Sequence, residues 1–313
     1  MADGFVLITG ASGYIGRGLA MSLLDDGIPV VAVDMHNSFA FTMPDASRDR
    51  FIYANADVRA FTEQTDRFVD LDWSRCCAVV HLAGMSHAGA CEKNPYGAFE
   101  ANVSLTARLL DFCRGRMSAR FIFPSTGLVY GMESDRPIAE EAPLYVRNIY
   151  TATKIAAENI VNGYAKSYGQ ESIIVRLSNI YGPAGNPDTI LQIIIRQVAE
   201  RANEVRFREG DSIRDFIFVD DVVAALKSVI RFTNNETAVT FNVSTGIGTS
   251  ILAIAEKACG IAGVPRERIV VEERCVGRPS ALVMDNRLLR DRTGWKPAYT
   301  LESGLTSILQ KRK

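Results

Sequence analysis

The sequence predicts an α/β protein, a doubly wound parallel sheet with a smaller C-terminal α/β domain. Three observations carry that reading. Short apolar runs alternate with longer amphipathic segments through the first 180 residues, as βαβ units require. A glycine cluster, Gly10-Ala11-Ser12-Gly13-Tyr14-Ile15-Gly16, separates the first apolar run from the first amphipathic segment. The chain has 313 residues, room for a large domain and an appendage, and the regular alternation fades after Tyr181.

Residues 5–9 read as a buried strand, short and apolar and stopped by Gly10. Residues 14–26 read as a helix ending near Gly27. Further strands are expected at 29–33, 51–54 (weaker), 78–82 and 120–123, with the clearest intervening helix at 95–113. A helix over 149–168 precedes a sixth strand at 172–177. The run Gly182-Pro183-Ala184-Gly185-Asn186-Pro187 is a loop by composition. Beyond it come a helix at 189–201, a strand running into a helix over 216–230, and a short strand at 241–243. From Ser250 onward helices and short strands mix.

Composition narrows the class. The chain is 47% hydrophobic and 23% charged with a formal net charge of −1, which suits a soluble protein with no nucleic-acid partner. No apolar run reaches the roughly 18 residues of a membrane span, and the start carries no signal-type segment. A cytoplasmic protein without membrane attachment is expected. Six cysteines without a C-x-x-C pair read as buried reduced thiols, and three histidines without ligand spacing argue against a metal site.

The glycine cluster sits where a dinucleotide fingerprint must sit, between strand and helix. Gly10 allows the tight turn, Gly13 lets the backbone approach a pyrophosphate, and Gly16 lets helix and strand pack closely. The helix start, with Ser12, Tyr14 and Ile15, offers N–H groups and a positive dipole end to phosphates. Asp34 stands at the end of the second strand, 18 residues past Gly16, where a carboxylate accepts from ribose hydroxyls and repels a 2′-phosphate. Met35, His36 and Asn37 follow it without an arginine, which favours NAD over NADP. Asp57-Val58 closes the third strand, where it could meet the adenine. The first domain is thus a Rossmann-type NAD-binding domain over 1–180, with a returning segment at about 214–244. Residues 181–213 and 245–313 form the expected substrate-binding domain.

Tyr150-Thr151-Ala152-Thr153-Lys154 puts a phenol and an ammonium four residues apart, on one face of a helix. Lys154 and an oxidised nicotinamide are both expected to lower the phenol's pKa. A phenolate can take a proton from a sugar hydroxyl while hydride leaves for NAD, and Lys154 can also bond the nicotinamide ribose. Ten tyrosines and eight lysines would give roughly 0.3 such pairs by chance, and this is the only one.

With these residues in view, the chain resembles the extended short-chain dehydrogenase/reductase family, in its NAD-dependent epimerase/dehydratase branch. The resemblance runs through Thr9 to Gly16, His81-Leu82-Ala83-Gly84, Pro124 to Gly131, Tyr150 to Lys154, Arg176 to Pro183, Arg214-Asp215-Phe216 and Thr293 to Pro297. It implies that Thr126 bonds the reacting hydroxyl and Tyr150, and that Ser125 shapes that strand end. It places Leu82, Ala83 and Gly84 under the pyrophosphate and ribose, and has Asn102 support the active-site backbone. Asn179, Arg214 and Arg278 would hold a nucleotide-sugar diphosphate. A salt bridge from Arg214 to Asp215 or Asp220 is the plainer alternative. The family's Arg-x-Gly-Asp pattern is replaced here by Arg278-Pro279-Ser280-Ala281.

The family's dehydratases carry an Asp-Glu pair directly after the Ser/Thr, and its decarboxylases tend to carry a glutamate there. Gly127 and Leu128 occupy those places, and neither transfers a proton. The minimal Thr126-Tyr150-Lys154 set suffices for 4-epimerisation of a nucleotide sugar through a 4-keto intermediate. A net dehydrogenase or 4-keto reductase needs the same residues, and a non-catalytic NAD-binding scaffold would share the fold. Ser86 and His87 stand where the galactose epimerases have a lysine, and are candidate substrate contacts. The resemblance also implies a homodimer built from the helices at 95–113 and 149–168.

Overall fold

The computed structural model describes residues 4–36, 49–131, 134, 136–233, 236–272 and 280–310. In chain order they form β1 (Phe5–Thr9), α1 (Tyr14–Asp25), β2 (Val30–Asp34), β3 (Phe51–Asn55), α2 (Val58–Glu63), β4 (Cys76–His81), α3 (Ala88–Lys93), α4 (Pro95–Phe99), α5 (Leu105–Arg114), β5 (Arg120–Thr126), α6 (Ile149–Tyr168) and β6 (Ser172–Leu177). There follow β7 (Asn179–Tyr181), α7 (Ile190–Ala199), β8 (Val205–Phe207), β9 (Ile213–Phe218), α8 (Val219–Arg231), β10 (Ala238–Val243), β11 (Gly248–Ser250), α9 (Ile251–Ala262), β12 (Ile269–Val271), β13 (Ala281–Leu282), α10 (Arg287–Thr293) and α11 (Leu301–Leu309).

The chain divides into two compact units. The first comprises 1–129, 144–176 and 226–241; the second comprises 130–143, 177–225 and 242–313.

The frame of the first unit is a seven-stranded sheet in the order β10-β6-β5-β4-β1-β2-β3, with the pairs from β5 to β3 all parallel. The winding reverses between β1 and β4, the switch point at which open α/β sheets bind ligands beyond their carboxyl ends. β1 and β2 are buried at every position, as strands covered on both faces must be. One core joins Leu7, Val31, Val33 and Phe121 of the sheet to Leu109, Ala157 and Val161 of α5 and α6.

The helix expected over 95–113 is interrupted. Residues Glu100–Ser104 form a π turn between α4 and α5, and α3 is a further short helix before them. The strand expected to begin at Phe216 begins instead at Ile213, because β11 and β13 pair with its first residues.

The second unit has its own core, in which Ile194 and Val198 of α7, Ile254 and Ala258 of α9 and Leu305 of α11 meet Phe216 and Phe218. β9 carries β7, β11 and β13, and β8 pairs with β12. The Thr293 to Pro297 segment has a structural task. Buried Asp221 accepts the Ala298 and Tyr299 N–H groups at 2.7 and 3.1 Å, and the Trp295 indole donates to the Asp221 carbonyl.

No helix among the described residues is long and apolar enough to cross a membrane.

Candidate active site

The first unit gathers the glycine turn, the 82–86 loop, the end of β5 and the start of α6. Gly10 takes φ +68°, and a Cβ there would lie 2.6 Å from the Ala83 nitrogen. The turn after β1 therefore rests directly on the backbone after β4, and Leu82 N–H donates to the Thr9 carbonyl at 3.0 Å. A Cβ on Gly16 would come 2.3 Å from the Gly10 carbonyl oxygen. Gly13 stands at the N-cap of α1 and has no side chain to cap the helix. Asp34, nearly buried, accepts the Ser12 N–H at 2.9 Å and the His36 N–H at 3.0 Å. Its two oxygens hold about four acceptor positions, so two hydroxyls can still be taken. This cradle fits a dinucleotide: the backbone at Gly10 and Gly16 is too close-packed for a Cβ, and the helix start and the Asp34 carboxylate adjoin it.

Asp57 is exposed and caps α2, accepting the Ala60 N–H at 2.8 Å, while the Val58 side chain is buried in the core. Only the backbone at these two positions and the remaining Asp57 oxygen are left for an adenine contact.

Asn102 lies inside the π turn and is buried. Its amide grips Met85 from both sides: Oδ1 accepts the Met85 N–H at 2.7 Å, and Nδ2 donates to the Met85 carbonyl at 3.0 Å. Nδ2 also donates to the Thr153 hydroxyl at 3.0 Å, and that hydroxyl donates to the Tyr150 carbonyl. A Cβ on Gly84 would meet Asn102 Oδ1 at 2.7 Å. The expectation that Asn102 supports the local backbone thus has a geometric basis. Ser86 is exposed, and half-buried His87 caps α3.

Helix α6 begins just before the reactive pair. Asn148 and Thr151 form a capping box, and Glu92 accepts the Ile149 N–H at 3.1 Å. Tyr150 and Lys154 then face the end of β5. Tyr150 is buried in a small apolar cluster with Cys91 and Ala98, against which Met85, Ala88, Leu128 and Ile149 pack. Burial pushes its phenol up to about 12, while a hydrogen bond with Thr126 favours the ionised form. Thr126, rather than Lys154, is the protein group that works in the phenolate's favour here. Burial pulls the Lys154 ammonium down to about 8, opposed by Glu158 and Cys91. Lys154 donates to the Pro124 carbonyl at 2.8 Å and lies 4.6 Å from the Phe123 ring centre.

Two further groups adjoin. His81 bonds Thr9 Oγ1 through Nδ1 at 2.7 Å; burial, then the Lys154 charge, pulls it down to about 3, so it stays neutral. Glu158 is buried with Arg176, and Ser125 donates to it. The sequence reading leaves out Glu158, although the spacing that joins Tyr150 to Lys154 reaches Glu158 one turn on.

In the second unit, Asn179 donates to the Asp215 carbonyl at 3.1 Å. Arg214 is held by Ser280, with NH1 on its carbonyl at 2.9 Å and NH2 on its hydroxyl at 2.9 Å. The bond partners of Asp215 are instead Thr245 and the Gly246 N–H. Arg278 lies outside the described residues, as does Cys275. The other five cysteines carry free thiols.

Residues 6–244 match the family model described as the NAD dependent epimerase/dehydratase family. UDP-glucose 4-epimerase of Streptomyces lividans is 29% identical, over 95% of this chain and 92% of its own. Relatives at 26–27% identity include a reductase and dehydratases. The solved structure of RMD from Pseudomonas aeruginosa complexed with NADPH is 27% identical, with a TM-score of 0.80 and coverage of 99% of this chain and 98% of that one. The fold is also that of UDP-glucose 4-epimerase with UDP-glucose from Thermotoga maritima, at TM-score 0.83 and 23% identity over 97% of each chain.

Proposed function

Because the chain belongs to the NAD dependent epimerase/dehydratase family, we propose that it is a nucleotide-sugar 4-epimerase. The observation that supports this most is what surrounds Tyr150. Gly127 and Leu128 follow Thr126, and Leu128 packs against the small apolar cluster that holds Tyr150. A dehydration would need a second proton-transferring group there, and those two positions supply none.

NAD supplies a hydride acceptor that later returns the same hydride. With NAD bound, the positive charge of the oxidised ring would favour the Tyr150 phenolate, which takes the proton of the sugar 4-hydroxyl as the C4–H bond breaks, leaving a 4-keto sugar. Thr126 holds that oxygen and stabilises the phenolate. Lys154 keeps a positive charge at the Tyr150 and ribose end. The keto sugar turns over, hydride returns to its other face, and Tyr150 gives the proton back to the new hydroxyl. Gly10, Ser12, Gly13, Tyr14, Ile15 and Gly16 carry the pyrophosphate, Asp34 the adenosine ribose, Asp57-Val58 the adenine, and Leu82 to Gly84 the cofactor's underside. Asn179, Arg214 and Arg278 bind the substrate diphosphate, an anion suited to planar guanidinium groups. Ser86 and His87 contact the sugar.

The test incubates the protein with a panel of nucleotide sugars and follows both products and NADH. Isomer formation without added cofactor, abolished in Tyr150→Phe while NAD still binds, is the expected result. Stoichiometric NADH release would replace the epimerase with a dehydrogenase. A wild type that binds NAD but turns over no nucleotide sugar would make it a non-catalytic binder.

A further inference from the structure

Three consecutive residues at the end of β5 are each hooked to α6. The Pro124 carbonyl accepts from Lys154, the Ser125 hydroxyl donates to Glu158, and Thr126 bonds Tyr150. Tyr150, Lys154 and Glu158 fall four residues apart, so they form one stripe along the helix. The third rung is the most deeply built. Glu158 is 2% exposed and Arg176 6%. Arg176 reaches the carboxylate from β6 with NH2 at 2.7 Å and Nε at 3.2 and 3.3 Å, so both Glu158 oxygens are engaged.

We propose that Glu158 is a positioning residue for this site: its carboxylate, anchored by Arg176 and Ser125, fixes the register of α6 on β5 and keeps Lys154 protonated. The proposal rests on the reading of Tyr150 and Lys154 given above. Its physical basis is simple. A buried ion pair is weak evidence for stability, since apolar residues often replace one without loss. A carboxylate one helical turn below a buried ammonium is a strong determinant of that ammonium's charge. The groups facing Lys154 are Tyr150 and Glu158 on its own helix, Cys91 on α3 and neutral His81 on β4. Glu158 is the one ion-paired with an arginine. Burial draws Lys154 down, and with Glu158 acting against that it stands at about 8.

The experiment titrates Lys154 itself by NMR in protein carrying labelled lysine. Eight lysines keep the spectrum simple, and Lys154→Met assigns the signal. Glu158→Gln keeps the shape and removes the charge, and should lower the Lys154 midpoint by about one pH unit. Arg176→Lys keeps a cation on the carboxylate but loses the arginine's planar grip, and should leave the midpoint unchanged. A purely structural pair would make both variants behave alike, and an unmoved midpoint in Glu158→Gln would overturn the proposal. If Glu158→Gln does not fold, the double variant Glu158→Gln/Arg176→Met removes the pair as a neutral unit and should still lower the midpoint. The alkaline limb of kcat/KM should fall with the Lys154 midpoint in each variant. A Lys154 signal that moves as expected in a protein inactive on every nucleotide sugar would sink the proposed function alone. An active wild type with an unmoved Glu158→Gln midpoint would sink this proposal alone.

Discussion

At the scale of single residues, the two reactive groups carry opposite costs of burial. Tyr150, pushed up to about 12, stays protonated in the fold while an unfolded tyrosine ionises near 10, so stability falls as pH rises from about 10 towards 12. Lys154 works the other way. Below about pH 8 folded and unfolded chains both hold its proton, and the cost of burying the ammonium is at its full value. Between about 8 and 10.4 only the unfolded chain keeps the proton, so stability rises with pH. The move from 10.5 to about 8 corresponds to about 3 kcal/mol. Solvent at the part-buried side chain and the lost bond to the Pro124 carbonyl reduce what a substitution recovers to roughly 1 kcal/mol. Lys154→Met should therefore melt at a higher temperature than wild type at pH 7, with the gain shrinking towards pH 10, while turnover is lost. A lower melting temperature at pH 7 would mean that the ammonium stabilises the fold.

At the scale of elements, the π turn at Glu100–Ser104 is the piece that ties loop to helix. A wider turn leaves a carbonyl without its ordinary partner, and the Thr106 hydroxyl donates to the Asn102 carbonyl at 2.7 Å. The Asn102 amide is then turned onto Met85 and Thr153. Asn102→Ala would strand the buried Met85 N–H and carbonyl, at a cost of about 1–3 kcal/mol. Thermal melts should show that loss, together with weaker NAD binding, because Leu82 to Gly84 lead directly into Met85. Unchanged NAD affinity would separate the loop from the cofactor. The resemblance pointed to Asn102, but the π turn itself was not legible beforehand: 95–113 has the periodicity of one helix. The inner strands of the central sheet were legible because burial on both faces makes them continuous apolar runs. β7, β8, β11, β12 and β13, of two or three residues each, are too short to show any period and exist only through their partners.

At the scale of the whole molecule, the site was readable to the extent that it consists of local spacing. The glycine turn and the Tyr150–Lys154 pair each span only a few consecutive residues, whereas the Glu158–Arg176 pair joins α6 to β6 and becomes visible only when they pack. The same limit applies to assembly, since a surface shows in the fold and not in the string. On α4, Tyr96 is 74% and Phe99 47% exposed, and their rings lie 6.5 Å apart. Buried aromatic side chains contribute on the order of 150–250 Å² each, so this pair would be a substantial part of the roughly 800 Å² that each partner buries in a stable interface. α4 also packs on α6, which carries Tyr150 and Lys154, so a partner seated there would brace the helix of the reactive pair. The wild type should therefore sediment at twice the chain mass, and Tyr96→Glu/Phe99→Glu should shift it to the monomer by placing two carboxylates in the contact. The double variant should keep its thermal melt at low protein concentration, because neither ring is buried in the chain itself. Turnover should then fall on dilution of the wild type and lose its concentration dependence in the variant. A wild type that sediments as a monomer at every concentration would leave the two rings as isolated surface residues and remove the brace.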